Sequence, residues 1–318
     1  MTTLRFLLIL LGFIFGVSGL QAQWDAQVSQ YWVVKQTYNP AFAGQGNLLN
    51  LSVLGRQQWV GMTGANTPQT FWASAEMPIR FMNRIHGVGV NMINDKIGLF
   101  SNTYVYGQYA YKKKIGNKYL NMGIQAGIAS VGFDATGLYT PSGSSFSSTD
   151  DALPTSSEKG SAFDAALGVT WIAPQYYIGL SSTHLTSPRY DLGDNYSSYI
   201  PRTYYLIAGG NIKLSNPLYQ IQPSVLLKAV KNVWQVDVTA RLIYNKLFNA
   251  GVSWRKDDGF IFMIGANIKG FNVGYAYDLS TSEIARVSNG THELYITYSL
   301  PIDLDKGKKR SSKSVRIL

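Results

Sequence analysis

From Trp234 to Tyr244 the chain alternates strictly. Trp234, Val236, Val238, Ala240, Leu242 and Tyr244 share one face, while Gln235, Asp237, Thr239 and Arg241 share the other. Side chains point to opposite sides of a strand at every step, so a period of two selects a strand and rejects a helix. An Asp and an Arg on the same polar face require that face to be wet or paired. The next segments repeat the pattern: Phe248, Ala250, Val252 and Trp254 oppose Asn249, Ser253 and Arg255, and then Phe271, Val273, Tyr275 and Tyr277 oppose Asn272, Gly274, Ala276 and Asp278. No helical stretch separates them. Strands that are apolar outside and polar inside, following one another directly, are the pattern of a transmembrane antiparallel β-barrel.

Segments of this kind lie near 48–58, 69–77, 86–94, 101–112, 118–130, 162–172, 175–183, 203–213, 218–228, 232–243, 246–254, 259–267, 270–278 and 291–300. They predict about 14 strands in a barrel over 48–300, and an even count places both ends on the same, periplasmic side. The connections sort accordingly. Short turns are expected at Ala173-Pro174, Ser215-Asn216-Pro217, Asn245 and Lys269-Gly270, and long polar loops on the other side at 132–161, 184–202 and 281–290. Two connections on the short side, 78–85 and 112–118, read as longer and basic. A secreted β-sandwich or jelly roll shares the composition but has no reason to sort its loops this way. The stretch 142–161 is poor in apolar residues and reads as a surface loop.

Composition supports the same class. Charged residues make up 14% and aromatic residues 13%, with 31 glycines and 21 tyrosines, as suits a wall facing lipid with aromatic rims at the headgroups. Residues 1–22 read as a signal peptide: Arg5, then the apolar run from Phe6 to Phe15, shorter than the ~20 residues a membrane helix needs. Cleavage is expected between Gly19 and Gln23, followed by a periplasmic lead-in segment at 23–47, open to three readings as a plug, a periplasmic lip or a lead-in strand, and, after Pro301, by a basic periplasmic tail at 301–318. Lys306, Lys308, Lys309, Arg310, Lys313 and Arg316 outnumber Asp303 and Asp305 there, and such clusters form electrostatic contact surfaces. The net charge of +10 points to anionic lipid or acidic protein, since an exported chain does not meet nucleic acid.

Asn39-Pro40-Ala41-Phe42-Ala43-Gly44, then Arg56-Gln57-Gln58-Trp59-Val60-Gly61, then Gly64-Ala65-Asn66-Thr67-Pro68 and Pro78 resemble the PorP/SprF family of type IX secretion membrane proteins of Bacteroidetes. Phe42 stands where that family commonly has tyrosine, and Asn66-Thr67 precede a proline that usually follows Ala65 directly. The resemblance implies an outer-membrane barrel that associates with periplasmic ring components and, in some members, displays or anchors large secreted adhesins used in gliding motility. Asn39, Pro40, Gly44, Arg56, Trp59, Gly61, Lys308, Lys309 and Arg310 are the candidate partner-binding residues. In the strand register, Arg56 points into the lumen with Ser52 and Gln58, and Trp59 shares the outer face with Leu51 and Val53 as a rim anchor. The alternative function is a passive or substrate-specific transport channel.

Reaction chemistry is not expected. The sequence has no cysteine, and His86, His184 and His292 stand far apart, so no metal or cofactor motif forms. One arrangement bears on catalysis, His184 with Asp191 and Asp194 on a long loop, where a base could reach a proton donor.

Overall fold

The computed structural model describes residues 25–62, 67–134, 157–192 and 196–303. The strands are β1 (Leu48–Gln57), β2 (Gln69–Phe81), β3 (Arg84–Ile97), β4 (Phe100–Ile115), β5 (Lys118–Phe133), β6 (Glu158–Ile172), β7 (Tyr176–Thr183), β8 (Arg189–Leu192), β9 (Tyr196–Tyr199), β10 (Thr203–Gly210), β11 (Ile212–Lys213), β12 (Tyr219–Val230), β13 (Val233–Tyr244), β14 (Phe248–Arg255), β15 (Gly259–Ile268), β16 (Phe271–Ser280) and β17 (Thr291–Pro301). β11 continues the stave begun by β10 and pairs with β12, while β8 and β9 form a separate two-stranded hairpin. What remains is a closed antiparallel barrel of 14 staves. β1 and β17 close it, in register from Leu48 opposite Pro301 to Gln57 opposite His292.

Alternation decides which face meets what. On β13 Val238 and Leu242 are exposed while Asp237 and Thr239 are buried, and on β14 Val252 and Trp254 are exposed while Ser253 and Arg255 are buried. The outer face is therefore apolar, and the charged residues point into the lumen. No helix among the described residues is long and apolar enough to cross a membrane.

Both expected basic loops are strand. β2 and β3 run on to a turn at Met82 and Asn83, and β4 and β5 to a turn at Gly116 and Asn117. At roughly 3.4 Å per residue the 16-residue β4 and β5 exceed the 9–11 residues a crossing needs. They therefore project past the apolar band, and Pro78 sits within β2 opposite Gly87. On the long-loop side the β8–β9 hairpin folds inward, burying Tyr190, Leu192 and Ile200 against Tyr104, Tyr106, Ala129 and Val131. Most of loop 142–161, together with residues 1–24 and 304–318, lies outside the described residues.

Of the three readings open for the segment before β1, the structure takes the plug. The segment is not a lead-in beneath the barrel: from Asp25 to Gly44 it runs inside the lumen, from the long-loop end down to the short-turn end where Leu48 begins. The cause is the inward-facing polar face, whose charges and amides need partners and find them on this segment.

Candidate functional site

The lower half of the plug explains the Asn39–Gly44 motif. A single helical turn, Lys35–Tyr38, is followed by a 3-10 turn, Pro40–Phe42, whose N-cap is Asn39. The Asn39 side-chain Oδ1 accepts from Ala41 N, and its Nδ2 donates to the backbone oxygens of Val169 and Leu180, each at 3.1 Å. Pro40 suits the first position of a helical turn, where no N–H is needed. The motif can lie this close to the wall because the wall has no side chains beneath it. A Cβ on Gly87 would fall 1.9 Å from Ala43 O, on Gly123 2.2 Å from Ala41 N, and on Gly168 2.0 Å from Asn39 Oδ1. Gly44, at φ +60, donates its N–H to Glu76 Oε2 at 2.9 Å, and Lys112 donates to its carbonyl. Above it, Trp72 Nε1 donates to Thr37 Oγ1, Gln108 Nε2 to Gln36 O and Ser181 Oγ to Tyr38 O. Lys35 lies over the rings of Phe42 and Tyr177.

The upper half is held by charge. Glu293 accepts from the N–H groups of Ser29 and Gln30, both at 2.7 Å, and Ser29 Oγ donates to Asp278. Arg56 bridges Asp278 at 2.8 Å and Glu293 at 3.3 Å, and donates to Ser29 Oγ at 2.6 Å. Arg255 joins Asp237 at 2.8 Å, Asp278 at 3.2 Å and the carbonyl of Val28. At the top His184 donates from Nε2 to Asp25 and from Nδ1 to Asp164, both at 2.6 Å. A ring bound by carboxylates at both nitrogens is an imidazolium. Burial opposes that charge, but the two carboxylates raise the ring to about 10. Burial likewise pushes the Asp25 carboxyl up, yet His184, Lys228 and Tyr205 outweigh it and hold it below the usual range.

The candidate residues therefore fall in three places. Asn39, Pro40 and Gly44 pack on the wall in the lower lumen. Arg56 points into the lumen as the register requires, with 4% of its surface exposed. Trp59 is not an outer-rim anchor: β1 ends at Gln57, Trp59 takes φ +52 and turns over the long-loop mouth, its N–H on Thr291 Oγ1. Gly61, at φ +92, lies beyond it in the same connection, against Asn289. Lys308, Lys309 and Arg310 lie outside the described residues. His184 does not form a dyad with Asp191; its ring turns inward to Asp164 and Asp25, and Asp194 lies outside the described residues. A ring held on both nitrogens has no lone pair for taking a proton.

Sequence patterning does not single out Asp25, Ser29, Asp164 or Glu293, nor the glycines on which the plug lands. One signal is present: Asp237, Arg255 and Asp278 stand at inward positions of three staves.

The family model described as "Type IX secretion system membrane protein PorP/SprF" matches residues 20–298. No curated protein matches. Among solved structures, the TodX deltaS2S3 mutant monoaromatic hydrocarbon channel is similar over 84% of this chain and 94% of its own, at 12% identity and a TM-score of 0.50. The Pseudomonas putida toluene transporter TodX aligns over 86% and 94%, at 9% and 0.49, and the CymD monoaromatic hydrocarbon channel over 85% and 93%, at 14% and 0.49. At these identities the likeness concerns the fold of a membrane barrel alone.

Proposed function

Because this chain belongs to the PorP/SprF family of type IX secretion system membrane proteins, we propose that it is a closed docking barrel of the outer membrane. Its short-turn end and basic tail hold periplasmic components of the apparatus, and its long-loop end anchors or displays exported surface proteins such as gliding adhesins. The observation that carries this reading is the plug. A lumen occupied from Asp25 to Gly44 and tied to the wall by the Asp25–His184 ion pair and by hydrogen bonds from Ser29 and Gln30 to Glu293 and Asp278 suits a platform better than an open conduit. The basic residues Arg80, Arg84, Lys113, Lys114 and Lys118 around the projecting β2–β3 and β4–β5 turns, together with Lys308, Lys309 and Arg310, supply a cationic rim for acidic periplasmic partners and for anionic lipid. No reaction is assigned to the barrel.

Deleting 302–318 tests the periplasmic half of the reading. The truncated barrel should remain heat-modifiable on gels and lose co-purification with periplasmic components of the apparatus; an unchanged pull-down removes the tail from the proposal. Planar bilayers test the closed lumen against the channel alternative, since a docking barrel passes little steady current.

A further inference from the structure

Among the described residues, the long-loop mouth is not filled to its rim. Above the plug lies a vestibule of about 500 Å³. Its floor is Asp25 to Gln27 with Asp95, and Trp59, Pro68, Ile97 and Ile284 give it an apolar rim. Among the described residues four carboxylates line it, those of Asp25, Asp95, Asp257 and Asp258, against a single lysine, Lys256. Three of the four are engaged: Asp25 by His184, Asp257 by Lys256, and Asp258 by Arg255. Lys256 is itself spent on Asp257 and on the ring of Trp234, 4.5 Å from its centroid.

Asp95 is different. It points inward from β3 with 2% of its surface exposed, and Thr70 Oγ1 donates to its Oδ1 at 2.6 Å. Its Oδ2 is buried with no hydrogen-bond partner among the described residues. A buried carboxylate oxygen left unbonded carries a desolvation cost that a cation or hydrogen-bond donor removes. An acidic floor beneath an apolar rim with an indole matches a positively charged side chain next to an apolar one, since aromatic faces and carboxylates both attract cations.

We propose that this vestibule receives a lysine or arginine side chain from an extended peptide segment of an exported protein, with Asp95 taking the cation and Trp59 covering the adjacent apolar residue. The identity of the peptide's owner rests on the docking reading above; the chemistry of the site does not.

The test uses the full-length barrel in detergent micelles and three labelled, acetylated pentapeptides that carry lysine, arginine or glutamate between two tryptophans. The two basic peptides should bind at least about tenfold more tightly than the acidic one, a ratio that is the work of one charge-assisted hydrogen bond. Asp95→Asn should erase most of that preference, and Trp59→Ala should weaken all three peptides while leaving the preference in place. Equal affinity for basic and acidic peptides overturns the site, as does an undiminished preference in Asp95→Asn. Should Asp95→Asn fail to fold, the same comparison made in wild type with rising salt decides, because a preference untouched by salt is not electrostatic. Basic-peptide binding alongside unaltered surface retention of exported proteins in a Trp59→Ala strain supports the site and removes the cargo reading. Absent binding alongside lost retention overturns the site and leaves the cargo reading in place.

Discussion

Arg56 is the side chain whose removal should most loosen the plug. It faces Asp278 at 2.8 Å and Glu293 at 3.3 Å with 1% of its side chain exposed, and breaking a buried ion pair from one side costs about 3–5 kcal/mol. The lower end applies. In Arg56→Ala, Glu293 still accepts from the N–H groups of Ser29 and Gln30, and Asp278 still has Arg255 at 3.2 Å. A loss of about 3 kcal/mol in seating the plug multiplies the unseated population about a hundredfold. In planar bilayers the wild-type barrel should be nearly silent and Arg56→Ala should show discrete openings about a hundred times as often. The triple variant Arg56→Met, Asp278→Asn, Glu293→Gln removes both the cation and the charges it neutralises, and should be quieter than the single variant. An Arg56→Ala barrel as silent as wild type, with the same urea midpoint, refutes the ionic anchoring. A wild type that conducts like the variant refutes the plug.

Gly123→Val places a side chain where even a Cβ meets Ala41 N at 2.2 Å; overpacking of this kind costs about 1–3 kcal/mol and should speed proteolysis within 25–44. The His184 clamp has a pH window. The ring, raised to about 10 from 6.5, contributes its stability fully below about 6.5 and loses it as pH rises through about 10. The lowered carboxyl of Asp25 contributes above 3.8 and loses its share as acid protonates it. Asp164, Tyr106, Tyr205 and Lys228 surround the pair, so amide exchange near 25–30 should be slowest between those limits, and His184→Ala should abolish the alkaline limb. Trp72→Phe removes the Nε1 bond to Thr37 and should lower the unfolding free energy by about 1 kcal/mol without opening the lumen.

The wall is legible in the sequence because a strand writes its environment into every second residue. Asp237 and Arg255 cannot face lipid, and that alone settles the inward face of β13 and β14. That 25–44 fills the lumen is only one of three readings the sequence leaves open, because an irregular segment carries no period. Asn39-Pro40 announces a turn, but not that Gly87, Gly123 and Gly168, set on separate staves, leave the space into which that turn lies. Extending the alternation of β1 two residues past its end misplaces Trp59, because a positive φ there ends the strand geometry. Nearness in sequence pairs His184 with Asp191, whereas its partners Asp25 and Asp164 are 159 and 20 residues away. Charge in a barrel lumen is matched across the bore, and sequence distance does not report it.

Arg56 and Glu293 are also opposite residues in the pairing of β1 with β17, the two strands that meet when the barrel closes. The ladder that zips the first strand to the last thus carries, at one rung, the clasp that grips Ser29 and Gln30. Just past its lower end, Ile302 donates to the carbonyl of Asn47 at the root of the same segment. Closure of the cylinder and capture of its own N-terminal segment are therefore coupled through Glu293. An assembly intermediate with an open seam lacks the binding site for the plug, and a chain that closes without the plug inside buries Glu293 without its two N–H partners. The sequence separation of 264 residues between Ser29 and Glu293 makes this the slowest contact to find, so seam mutations should delay the appearance of the heat-modifiable form more than equal damage elsewhere in the wall.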